Sequence, residues 1–84
     1  MKNFWLLRRP RIYQQTNPYV DFYGKWYIMK RSYTQATDLY LHKDGVWRVT
    51  TYSIITGEYT GYFNSLTEAE FVLKMSRPNS YGLT

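Results

Sequence analysis

The sequence predicts a small α+β domain: a three- to four-stranded antiparallel meander packed by one C-terminal α-helix, preceded by an extended basic N-terminal arm. Three observations carry this. Between residues 25 and 63, runs rich in strand formers are separated by the turn pairs Asp44-Gly45 and Thr56-Gly57. "NSLTEAEFVLKMS" places Glu68 three residues after Ser65, the spacing of a helix capping box. Pro10 and Pro18 forbid a continuous helix over the first 23 residues. At 84 residues the chain holds one domain. Pattern divides it into an arm (1–23), a sheet-and-helix unit (24–76) and a tail (77–84).

Taken in order, the arm has room for one short strand, at 3–7 or 11–14, because its prolines push Arg9 and Asn17 toward extended backbone. "KWYIMKR" (25–31) is the first strand of the regular region. After the polar connection "SYTQAT", residues 38–42 and 46–52 form a hairpin closed by Asp44-Gly45. A second turn around Thr56-Gly57 leads to a last strand at 58–63. In the helix, the Ser65 hydroxyl accepts from the Glu68 amide, and the Glu68 carboxylate reaches back to the Ser65 amide. Leu66, Ala69, Val72 and Leu73 share one helix face, Lys74 suits the C-terminal dipole, and Pro78 stops continuation.

Strand side chains alternate, so parity sorts the sheet into two faces. The apolar set is Trp26, Ile28, Leu39, Leu41, Trp47, Val49, Tyr59 and Phe63, with Gly61 letting the helix approach. The opposite set is Lys25, Tyr27, Met29, Arg31, Tyr40, His42, Arg48, Thr50 and Tyr62, with Glu58 as an edge carboxylate. Aromatics make up 20% of the chain; each ring buries roughly 150–250 Å², which offsets the small size of the core.

The chain has no Cys, which excludes disulfides and Cys-based zinc sites and agrees with an expected cytoplasmic location. "FWLL" is too short for a signal peptide or a membrane span, so an unprocessed chain with no membrane contact is expected. The net charge of +5 favours anionic partners. Lys and Arg neutralise phosphates while Tyr rings stack on bases, so the outer face suits nucleic acid, DNA ahead of RNA. The contact residues expected there are Lys25, Tyr27, Arg31, Tyr40, His42, Arg48 and Tyr62, with Arg8, Arg9 and Arg11 from the arm. Two alternatives stand beside this reading. The face can be plainly solvated, or it can be covered by the arm or by an acidic host-protein partner.

No catalytic motif appears. There is one His, no glycine-rich phosphate loop and no zinc-ligand spacing, so no cofactor, no metal and no enzymatic activity are expected. The one arrangement with catalytic potential is His42, Tyr40 and Arg48 acting as a small ribonuclease centre.

Gly24-Lys25-Trp26, Gly61-Tyr62-Phe63 and Glu68-Ala69-Glu70 resemble pieces of plant ethylene-response-factor DNA-binding domains and phage integrase arm-binding domains. The resemblance covers about half the chain. It implies that the outer sheet face lies in the DNA major groove, with Lys25, Tyr27, Arg48 and Tyr62 in contact. In size and basic charge the chain also resembles phage-encoded accessory proteins, among them host-factor inhibitors and anti-CRISPR proteins.

Overall fold

A computed structural model describes residues 9–32 and 37–76. Four strands, β1 (Arg11–Gln14), β2 (Trp26–Ser32), β3 (Thr37–Leu41) and β4 (Trp47–Arg48), precede the helix α1 (Leu66–Met75). Each strand pairs antiparallel with the next, giving the meander order β1-β2-β3-β4. The α+β architecture is as expected, but the membership of the sheet differs at both ends. Residues 11–14 of the arm supply its first strand, with Ile12 opposite Ile28 and Tyr13 opposite Tyr27. The expected strand at 46–52 pairs only at Trp47 and Arg48, and 58–63 keeps two isolated bridges, Ser53 to Glu58 and Trp26 to Phe63. The physical reason is local competition. The Thr50 hydroxyl accepts from the Tyr52 amide at 2.8 Å, which turns the backbone out of the ladder.

Ile12, Ile28, Leu41 and Trp47 lie on the inner face of successive strands. Ile28, Leu41, Phe63 and Ala69 are fully buried, and Ile12, Trp26, Trp47, Val72 and Leu73 pack around them. Burying side chains such as Leu41 and Phe63 contributes about 1.5–3 kcal/mol each. Phe63 reaches the core through two backbone bonds with Trp26, at 2.9 and 2.7 Å. Those bonds seat it beside the first residue of β2, outside the stretch that β3 pairs. Val49 and Tyr59, expected inside, are 60% and 48% exposed because the chain has left the sheet on either side of the 53–58 turn.

Lys30 takes an inner position in their stead. Its residue is 8% exposed, and its ammonium lies 4.6 Å from the centre of the Trp47 ring. Burial lowers its pKa to about 8. Gly61 is needed for close approach, as expected, but to a different neighbour. A Cβ there would sit 2.8 Å from the Thr51 Cα, and the Gly61 amide donates to the Thr51 carbonyl at 3.0 Å. The crossing of two chain segments demands the glycine, rather than the helix.

The helix start follows the capping logic with one shift. The Glu68 amide donates to the Ser65 hydroxyl at 3.1 Å, while the Glu68 carboxylate accepts from the Asn64 amide at 3.2 Å instead of that of Ser65. Gly45 closes the β3–β4 turn at φ +85°, where a side chain would be strained. Among the described residues, no helix is long and apolar enough to cross a membrane.

Candidate nucleic-acid interface

The strand register assembles the outer face in rows. Arg11, Met29, Tyr40 and Arg48 form one row, and Tyr13 with Tyr27 begins the next. From Tyr13 an unbroken string of rings crosses the face. Tyr13 stacks on Tyr27 at 5.6 Å, Tyr27 meets Tyr40 at 6.0 Å and Tyr62 at 5.8 Å, and Phe22 lies flat on Tyr62 at 4.3 Å. Phe22 also meets Tyr59, which packs on Tyr52. Such pairs contribute about 0.5–1.5 kcal/mol each beyond their buried area. Burial raises the pKa of Tyr27 and Tyr40, so both phenols stay neutral well above physiological pH. Phe22 belongs to the β1–β2 connection, so residues of the expected arm cover one end of this face.

Beside the tyrosines lies an open groove of about 590 Å³, lined by Arg9, Arg11, Arg31, Lys30, Tyr13, Met29 and Asp38. Arg9 and Arg11 are exposed and have no acidic partner among the described residues. Arg31 meets Asp38 at 3.2 Å, with both side chains about half exposed, so the pair is weak and leaves the guanidinium available. Arg48 is different. Its fork donates to both oxygens of Asp44, at 3.1 and 2.9 Å, and its side chain is only 19% exposed. That hydrogen bonding holds the Asp44 carboxyl below its usual range. Lys25 donates to the Asn64 side chain at 2.7 Å.

His42 is not a surface residue. It is fully buried, with Nε2 2.7 Å from the Thr50 carbonyl and Nδ1 2.7 Å from the Thr60 hydroxyl. The segments that leave the sheet after β4 and return before Phe63 close over it. Its ring therefore has no surface to offer a nucleic acid, nor a free nitrogen for a ribonuclease centre. Arg8 lies outside the described residues. The structure thus brings together Arg9, Arg11 and Arg31, keeps Tyr27, Tyr40 and Tyr62 within the ring string, and withdraws His42. It adds Tyr13, whose place was legible once 11–14 was taken as a strand, since Arg11 and Tyr13 share parity. Among the described residues, no three His, Asp or Glu side chains group as metal ligands.

Fold and face together describe a small sheet-and-helix domain with a basic, aromatic outer surface. No family model, curated protein or solved structure matches the chain.

Proposed function

We propose that this chain is a non-enzymatic nucleic-acid-binding protein that holds phosphates along the Arg9–Arg11–Arg31 groove and sets bases or sugars against the neighbouring tyrosines. The observation that supports this most is the groove itself, which Arg9, Arg11 and Arg31 line together with Tyr13. Guanidinium groups bind phosphate oxygens through paired N–H donors, and phenol rings stack on any base. DNA is the ligand favoured by the resemblance to sheet-plus-helix DNA-binding domains, and a cytoplasmic setting belongs to the same reading.

Fluorescence anisotropy with labelled single- and double-stranded DNA and RNA, at two salt concentrations, tests it. Affinity falls steeply with salt, and R9A/R11A/R31A lowers the log–log salt slope by about 2–3. Tyr13→Ala weakens binding with the slope unchanged. Absence of binding at low salt overturns the reading.

The loop that carries Phe22 favours a second reading. Its Tyr19 and Tyr23 are 92% and 59% exposed, and tyrosine is among the residues enriched at protein hot spots. A small phage-type inhibitor or adaptor, for example an anti-CRISPR protein, that presses this surface on an acidic host protein fits that pattern. Its binding would hold far better against salt.

A further inference from the structure

After β4 the chain builds a projection unlike the rest of the surface. The 53–58 turn is held by the Ser53 amide on the Glu58 carbonyl at 2.7 Å and the Gly57 amide on the Ser53 carbonyl at 2.8 Å. Ser53 itself is buried, so the turn is anchored at its base. At its tip Ile54 and Ile55 are 88% and 83% exposed. Adjacent β-branched aliphatics on a tightly bonded turn forgo hydrophobic stabilisation that any covering surface would recover.

Next to this lip runs a cleft of about 410 Å³, lined by Arg48, Val49, Thr50 and Tyr52 together with Ile54 and Ile55. We infer that two copies of this chain pair about a two-fold axis here, the Ile54–Ile55 lip of each seated in the cleft of the other. An isologous interface needs one patch that is self-complementary, and a lip beside a cleft of its own chemistry meets that need. Area agrees. With Val49 and Tyr52, the exposed apolar patch is on the order of 500 Å², inside the roughly 300–600 Å² spanned by the largest, often functional, patch of a monomer. A standard interface takes roughly 800 Å² per partner, of which about two-thirds is apolar in homodimers.

Charge agrees as well. Apposing two copies would bring like charges together, but the cation at the cleft, Arg48, is already neutralised by Asp44 at 2.9 Å. Arg9 and Arg11, which have no acidic partner among the described residues, are at the other edge of the sheet, around β1. The pairing therefore does not rest on nucleic-acid binding, and it leaves both basic grooves uncovered.

Sedimentation equilibrium of the full chain, without nucleic acid, from low to high micromolar concentration, tests this. The mass rises from 10.2 kDa toward twice that value, and I54E/I55E holds it at the monomer with an unchanged thermal melt. Because the chain has no Cys, Ile55→Cys supplies a single thiol that cross-links copies under oxidation, whereas Lys74→Cys on the exposed helix does not. A wild-type chain that stays monomeric across the range, or a dimer that survives I54E/I55E, overturns the inference. Either result leaves the anisotropy outcome untouched, so the two failures are distinguishable.

Discussion

Both nitrogens of the His42 ring are committed, and this fixes its tautomer. The Thr50 carbonyl only accepts, so Nε2 carries the proton and donates to it, while Nδ1 accepts from the Thr60 hydroxyl. The ring stitches two crossing segments to the end of β3. His42→Ala leaves a cavity and an unsatisfied carbonyl, and is expected to cost about 2–4 kcal/mol in urea denaturation. Burial lowers the His42 pKa below its ordinary 6.5. The unfolded chain therefore binds this proton at a higher pH than the folded one, and stability declines as pH falls below 6.5. His42→Gln should lack that component of the acid slope.

Lys30 works in the opposite range. Its folded pKa of about 8 lies below the ordinary 10.5. Between those values the unfolded chain holds more protons, so stability rises with pH across the window. Thermal melts of wild type and Lys30→Met at pH 8 and pH 10 check this, the variant showing the smaller rise.

At the level of elements, helix α1 depends on its cap. Ser65→Ala removes the acceptor for the Glu68 amide and is expected to cost about 1 kcal/mol, read by chemical denaturation, with the fold retained. The helix and strands β2 and β3 were legible because each carries its own local signal: a cap, a run of strand formers, a tight Gly turn. Strand β1 was one of two options, since "RIYQ" has strand propensity but nothing local that says what it pairs with. The stretch 58–63 was misread as a strand because alternation survives there while pairing partners do not. Propensity describes one segment, and a ladder requires two.

For the whole molecule, two surfaces lie toward opposite edges of the sheet. The basic groove gathers around β1 and β2, whereas the apolar lip and cleft follow β4. The two tests are consequently independent. R9A/R11A/R31A should leave the sedimenting mass unchanged, and I54E/I55E should leave intact the groove that each copy offers to nucleic acid. The face between them was only partly legible. Parity sorted Tyr27, Tyr40 and Tyr62 outward, and all three take part in one ring string. It also sent His42 outward, which holds only while the chain continues as a strand.

What the sequence by itself determined is the α+β class, the capped helix, the Asp44-Gly45 turn and an outer face rich in tyrosine and arginine. These follow from spacing, propensity and capping, which act over a few residues. Only the tertiary structure decided that Arg9 and Arg11 share a groove with Arg31, that Arg48 is consumed by Asp44, and that His42 is buried. It also decided that Gly61 serves a crossing with Thr51 and that Lys30 lies beneath Trp47. Each of these depends on which distant segment arrives beside a residue, and burial, ion pairing and side-chain hydrogen bonding are set by that neighbour rather than by the residue's own type.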